Sequence, residues 1–328
     1  MDLSIVIVSW NTRALTLDCL ASLEEALAEA GTAGFAEVLV VDNASSDGTA
    51  AAIEAQFPAV RVIESPRNLG FAAGCNAGVR VASGRHVLFL NSDARIDSKA
   101  LHGCVDFLDR QHDVAVVGPQ LLHPDGRRRN SIHNGPTLIS ELVPKALLQF
   151  LFRRRFPSRR WVGDRPLDVE AVTGAAFFAR AAAIADVGPL PEDYFLFLEE
   201  TDWCLRLRRA GWRVVHLPTL FAVHIAGASS KLRDPALTRI EYHRSLYHFF
   251  RVNRGMGSMA TVFVLRLLKT VFYLVARVPA ALVGGERGRA RLRVHRDVLA
   301  WHLRGCPGSV GFAASRFAVT SVDPVSGR

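Results

Sequence analysis

The sequence predicts an α/β fold, a mostly parallel sheet flanked by helices, followed by a helical C-terminal appendage. Three observations predict it. Short apolar, β-branched runs alternate with segments of helical spacing up to Gly118, the rhythm of βαβ units whose crossovers cover both faces of a sheet. The 328 residues are 49% hydrophobic, which supports a full core and argues against bulk disorder. From about Pro235 the chain reads as helical throughout.

In order, Leu3–Ser9 is a β-branched strand. Residues 13–30 place Leu15, Cys19, Leu20 and Leu23 on one helical side. Residues 37–42 form a strand ending in an acid, and Ser46-Asp47-Gly48 opens a helix, since Ser and Asp accept from exposed N–H groups. A strand over 60–64, a Gly/Ala-rich helix over 70–82, a strand over 85–90, a helix over 100–110 and a strand over 114–117 follow. His123-Pro124-Asp125-Gly126 signals a hairpin. Residues 127–167, rich in Arg and Pro and carrying the apolar patch 147–152, read as a mobile basic excursion outside the core. Order returns over 169–180, in a helix over 199–210 and in two strands, 214–216 and 220–224. Residues 259–283 are apolar but interrupted by Arg266, Lys269 and Arg277. No uncharged run reaches the roughly 18 residues of a spanning helix, so the segment reads as a helix lying in the membrane interface. These boundaries divide the chain into 1–234 and 235–328.

A net charge of +9 and a pI near 9.9 call for an anionic partner. The excess lies at 127–129, 153–160 and 287–304, beside apolar stretches. Basic plus apolar favours an anionic membrane face over nucleic acid, and no interleaved aromatic motif for nucleic acid is present. Five scattered cysteines without CxxC spacing exclude a disulfide framework and fit a reducing cytosol. The first apolar run is too short for a signal peptide core.

Ligands of an open parallel sheet collect beyond the carboxyl ends of its strands. Ser9-Trp10-Asn11 follows the first strand, Asp42-Asn43 the second and Asn91-Ser92-Asp93 the fourth. Alone, Asp42 would serve as a helix cap and 91–93 as a turn. Together they bring an aromatic ring, two carboxylates and amides into one crevice. Trp10 offers a face to a nucleotide base and Asp42 an acceptor to its N–H edge. A diphosphate calls for a hard cation with oxygen ligands, which makes Asp93 a candidate ligand for Mg2+ or Mn2+. Asn68, Gly70 and Asn76 lie in a Gly-rich segment that either admits a phosphate at a helix N-terminus or packs a helix tightly on the sheet. No G-x-G-x-x-G opens the first helix, which argues against a dinucleotide enzyme.

Glu199, Glu200 and Asp202 open a helix behind an aromatic run. The helix dipole favours first-turn acids without any function, yet a sugar hydroxyl needs a general base, and each of the three is a candidate. His224 ends a strand before the 227–230 loop, where a structural role and a metal ligand are both open.

Seven segments, SIVIVSWN (4–11), VVDNASSDGT (40–49), NLGFAAGCN (68–76), VLFLNSD (87–93), TGAAFFAR (173–180), FLEETDWCLRLRRAG (197–211) and VHIAGAS (223–229), occur in this order. Together they resemble family 2 glycosyltransferases of the GT-A fold, in the bacterial rhamnosyltransferase-like branch, over about residues 3 to 230. The resemblance implies an inverting transfer from a nucleoside diphosphate sugar, first choice rhamnose. It implies that Asp42 contacts the base and that Trp10, Asn68 and Gly70 line the nucleotide site. It places Asp93 last in a DxD-type metal motif, with His224 as a metal ligand and Glu200 as base. Asn91 stands where the family has a first acid, and Glu200 where Asp is usual, which keeps Glu199 and Asp202 as rivals. The expected acceptor is a hydroxyl of a glycan or lipid-linked sugar in cell-envelope polysaccharide synthesis, met at the cytoplasmic face of the membrane. A homodimer is the other use of the C-terminal helices. A nucleotidyltransferase and a non-catalytic sugar-nucleotide-binding membrane scaffold are the alternative functions.

Overall fold

The computed structural model describes residues 1–29, 35–143, 145–151, 163–225 and 234–312. Strands β1 (Leu3–Ser9), β2 (Ala36–Asp42), β3 (Arg61–Glu64) and β4 (His86–Asn91) run parallel in the order β3-β2-β1-β4. Val and Ile at alternate positions are buried on both faces of β1, as expected of a strand covered twice. Their crossovers are α1 (Arg13–Glu29), α2 (Thr49–Gln56) and α3 (Phe71–Val79). Helix α2 starts as expected: Asp47 Oδ1 accepts from the Thr49 N–H at 3.2 Å.

Strand β5 (Ala94–Ile96) and α4 (Ser98–Arg110) lead into β6 (Val114–Leu122). Next come β7 (Ile132–His133), α5 (Leu138–Leu142), α6 (Lys145–Leu151), β8 (Leu167–Asp168), β9 (Ala171–Val172) and β10 (Ala176–Arg180). Then α7 (Ala181–Val187), α8 (Glu199–Arg209) and β11 (Arg213–His224) complete the α/β part. The sheet of nine strands is mixed and mostly parallel, in the order β3-β2-β1-β4-β10-β6-β11-β5, with β8 on β11. Strand β10 enters antiparallel between β4 and β6. One core fills the face under α1 and α4, and a second fills the face under α3 and α8.

Several expectations change. Residues 214–224 form one strand, because β11 passes Pro218 by a register irregularity between Leu217 and Phe221. Strand β6 continues past Val117 to Leu122 and turns at the expected hairpin, where His123 N–H donates to the Arg127 carbonyl at 2.8 Å. The described part of the 127–167 excursion is ordered and contributes to the core: Ser131, Ile132 and Leu148 are buried. The basic run at 153–160 and the 227–230 loop lie outside the described residues.

The C-terminal region forms α9 (Pro235–Arg254), α10 (Met256–Val283) and α11 (Gly285–Leu303). Tyr194 joins Phe249, Phe250 and Trp301 in a third core. The Ser245 hydroxyl donates to the Leu196 carbonyl at 2.7 Å, so α9 grips the segment that precedes α8. By length and composition alone, α10 is long and apolar enough to cross a membrane.

Candidate active site

Two cavities adjoin beyond the carboxyl ends of β1, β2 and β4. One, of about 310 Å³, is lined by Trp10, Asn68, Gly70, Asn91, Ser92 and Asp93. The other, of about 380 Å³, is lined by Glu199, Glu200, Thr173, Gly174, Glu141 and Tyr242. Asn91, Phe71, Leu196, Phe197 and His224 are common to both, so the two spaces meet at a shared wall.

The floor of the smaller cavity is a hydrogen-bonded clamp. Asn43 Nδ2 donates to Asn68 Oδ1 at 2.9 Å and to the Gly70 carbonyl at 3.1 Å, while Asn43 Oδ1 accepts from Leu69 N–H at 2.9 Å. Gly70 has φ +85°, and a Cβ there would collide with the Phe195 carbonyl; only glycine fits. Gly74 answers the packing reading, since a Cβ would meet Val8 Cγ1 at 2.8 Å. Asp42 is buried, with Oδ2 accepting from Ser45 N–H at 3.2 Å. Its Oδ1 has no hydrogen-bond partner among the described residues. A buried carboxylate oxygen without a donor is costly; Asp42 itself lines neither cavity and lies behind Asn43, which does.

Asp93 and His224 are brought together by strand pairing. Strand β5 follows Asp93 immediately and runs antiparallel to the end of β11, with Ala94 opposite His224. His224 Nε2 lies 3.1 Å from Asp93 Oδ1, and both side chains are largely buried. One carboxylate and one imidazole fit a divalent ion whose other ligands come from a diphosphate and water. Among the described residues no group of three or more His, Cys, Asp or Glu could hold a metal, so this pair is a partial set. Arg129 Nη1 donates to the His224 carbonyl at 2.7 Å. Burial lowers its pKa and the Asp93 charge opposes that shift. Arg129 thus brings a cation beside the pair, a role that sequence reading had assigned to a membrane patch.

Helix α8 supplies the carboxylates. Trp203, fully buried against Phe89 and Phe177, anchors it and donates its indole N–H to the Gly188 carbonyl at 2.8 Å. Phe197 and Leu198 both take left-handed backbone, φ 72° and 68°, a conformation that non-glycine residues hold only when surroundings enforce it. This turn aims Glu199 and Glu200 at the larger cavity. Each has an Oε2 buried without a hydrogen-bond partner. Burial raises both carboxyls, and the Glu200 charge raises Glu199 further. The backbone N–H groups of Glu200, Thr201 and Gly174 favour the ionised form of Glu200, which settles at about 7. Burial and mutual repulsion thus oppose a double charge, so the pair holds a proton more readily than two exposed carboxyls would. Thr173-Gly174, singled out in the sequence only as part of a motif, is the turn that contacts Glu200.

Five sequence candidates line neither cavity, Asp42 among them. Asp202 lines neither cavity and accepts from Asn253 Nδ2 of α9 at 2.5 Å, because two residues beyond Glu200, about 200° around the helix, it faces the C-terminal helices. Asn76 lies inside α3, where it donates to the Leu190 carbonyl at 2.8 Å and to Glu192 at 2.9 Å. Ser9 sits beneath the site in a hydroxyl cluster with Thr12 and Thr16, at 3.0 and 2.9 Å, and Thr12 relays it to Ser92 at 3.1 Å. Asn11, at φ 51°, holds the 45–46 loop by accepting from Ser46 N–H at 2.7 Å. These three position the site without lining it.

A crossover sheet with nucleotide-sized space at its strand ends, a metal-competent pair and facing carboxylates defines a GT-A-type protein. The chain belongs to glycosyl transferase family 2, whose family model matches residues 4–183, more than half its length. It is 28% identical over 228 residues to N-acetylglucosaminyl-diphospho-decaprenol L-rhamnosyltransferase of Mycobacterium tuberculosis, covering 65% of this chain and 73% of that protein. A low-salt glycan biosynthesis hexosyltransferase of Haloferax volcanii is 24% identical over 261 residues, 78% of this chain and 75% of that one. Among solved structures, a mannosyltransferase from Pyrobaculum calidifontis in complex with GDP-Man and Mn2+ superposes with TM-score 0.53 at 16% identity, over 92% of this chain and 86% of that one. TarS 1-349 of S. aureus gives 0.51 at 16% identity, over 93% and 92%. The structural likenesses show the fold, and the rhamnosyltransferase-like branch stands on the sequence relative.

Proposed function

We propose that the chain transfers a sugar, first choice rhamnose, from a nucleoside diphosphate sugar to a hydroxyl of a glycan or lipid-linked acceptor in cell-envelope polysaccharide synthesis, with inversion at the anomeric carbon. The observation that carries this reading is the pair of cavities with a shared wall: a space lined by Trp10, Asp93 and His224 on one side, and the Glu199–Glu200 pair on the other. Trp10 stacks on the base. Asp93 and His224 hold Mg2+ or Mn2+, which supplies Lewis-acid charge to a departing nucleoside diphosphate when bound. Arg129 adds positive charge beside that pair. Glu200 accepts the proton of the attacking hydroxyl.

The printed names of the relatives support parts of this reading: L-rhamnose and a diphospho-decaprenol acceptor in one, GDP-Man and Mn2+ in another. Residues 1–234 are the transferring unit and 235–328 a helical appendage that holds it at the inner face of the membrane. The test is a panel of sugar nucleotides with Mg2+ or Mn2+, read first as thermal stabilisation and then as product by phosphorus and proton NMR. Nucleoside diphosphate release with an inverted anomeric centre is expected. Release of pyrophosphate would overturn the reading in favour of nucleotidyl transfer, and retained configuration would overturn inversion.

A further inference from the structure

Helix α10 is built inside out for a water-soluble helix. At about 100° per residue, Val264, Leu268, Phe272, Val275 and Leu282 fall on one side, and all five are exposed, Leu268 by 60% and Phe272 by 66%. Arg266 and Arg277 fall on the opposite side. Arg266 pairs with Glu141 of α5 and lies over the Tyr242 ring at 5.7 Å. The Lys269 ammonium reaches back to the Glu141 carbonyl at 2.5 Å. The charges that interrupt this apolar segment are thus turned to the protein, and its apolar stripe is turned to solvent. An unpartnered stripe of this size marks an interaction surface.

The neighbouring elements say what covers it. Helix α11 runs back along α10, with Tyr273 and His295 stacked at 5.6 Å. It exposes Arg287, Arg289, Arg291, Arg293 and Arg296 against two acids, Glu286 and Asp297. The arginines are spread around α11 rather than in one row, with Arg287 and Arg291 on one side; an apolar stripe beside a strongly basic helix complements an anionic lipid surface. The same helix fixes the mode of contact. The 28 residues of α10 reach about 42 Å, enough to cross, but crossing would carry the arginines of α11 into hydrocarbon, where they are strongly disfavoured. Lying in the plane buries the stripe and leaves the arginines at the headgroups. Helices α5 and α6 continue the pattern: Ser140, Glu141, Leu148 and Gln149 line the glutamate cavity, while Ile139, Leu142, Phe150 and Leu151 are exposed.

We propose that the α10 stripe, the exposed apolar residues of α5 and α6 and the arginines of α11 form one surface that inserts in plane into an anionic bilayer, so that the glutamate cavity opens at the lipid. The inference deepens the membrane clause of the proposed function, and its test needs no turnover. The full-length protein is sedimented with vesicles of phosphatidylglycerol and phosphatidylcholine, and with phosphatidylcholine alone. Binding to the anionic vesicles, weakened by salt, is expected. Phe272→Glu with Leu268→Glu should reduce the partition constant by at least tenfold, on the order of what burying two large apolar side chains supplies. Because both side chains are exposed, circular dichroism and the unfolding midpoint should stay as in the unsubstituted protein. Arg287→Glu with Arg291→Glu and Arg293→Glu should abolish the preference for anionic vesicles. Absence of vesicle binding would overturn the inference, as would a dimer in analytical ultracentrifugation that the Phe272→Glu, Leu268→Glu variant splits while vesicle binding is untouched. Sugar transfer without vesicle binding refutes this inference alone, and vesicle binding without transfer refutes only the catalytic reading.

Discussion

Replacing Glu200 by Gln separates its two roles, as base and as a buried charge. Burial lifts the Glu200 carboxyl from the ordinary 4.5 to about 7, which corresponds to at most about 3 kcal/mol. The folded value lies above the unfolded one, so the folded state binds more protons between them. Stability from the protonated carboxyl is fully present below the unfolded value and is lost as pH rises through the folded value. At about pH 8 the unsubstituted protein carries that cost and the Gln variant does not, so the variant should be more stable by about 1–3 kcal/mol. By about pH 4 the difference should disappear. Transfer should fall by about 100- to 10,000-fold, the range for loss of a general base, with donor affinity retained. Urea unfolding at the two pH values gives the first quantity, and nucleoside diphosphate release with separate donor titration gives the second. A variant that is no more stable at the higher pH, or that loses donor affinity while keeping its rate, would refute the reasoning.

Asp93→Ala should weaken donor binding and remove the effect of added Mg2+ or Mn2+; activity in the unsubstituted protein that persists unchanged in chelator would refute the metal pair. Arg129→Gln should weaken the donor by about tenfold, the worth of one charged hydrogen bond, measured by calorimetry, and an unchanged Kd would remove Arg129 from the site. Gly70→Ala should destabilise the fold by about 1–3 kcal/mol, because the left-handed backbone and the Phe195 carbonyl leave no room for a Cβ; a neutral effect on thermal unfolding would contradict that packing. Asp202→Asn should lower transfer by far less than the ~100-fold expected of a base, since Asp202 binds Asn253; a larger loss in the kinetic assay would restore it as a rival to Glu200.

The elements legible in the sequence are those whose signal is local. Strand β1 is bounded to the residue by a β-branched run, and α8, expected over 199–210, starts at Glu199 with its acidic first turn and ends one residue earlier, at Arg209. Strand β11 was split in reading because Pro218 breaks alternation, and only its neighbour β6 shows that the chain continues across the irregularity. Strand β5 is three residues long, too short to carry a period, yet it sets Asp93 against His224. Trp10, Asn91, Asp93 and Glu200 were found because strand ends and helix starts are visible in sequence. Asn76 reads as a donor-binding residue and Asp202 as a candidate base because their partners, Leu190 and Asn253, are distant in sequence. Arg129 was missed because a basic run gives no indication of which of its members folds inward.

The pairing of β5 with the end of β11 also makes the proposed site depend on parts of the chain far apart in sequence. Asp93 lies early in the chain, but its imidazole partner stands 131 residues later, and the facing carboxylates emerge only shortly before that partner. A chain ending at residue 183 would contain Asp93 and the matched family segment, yet neither His224 nor the Glu199–Glu200 pair.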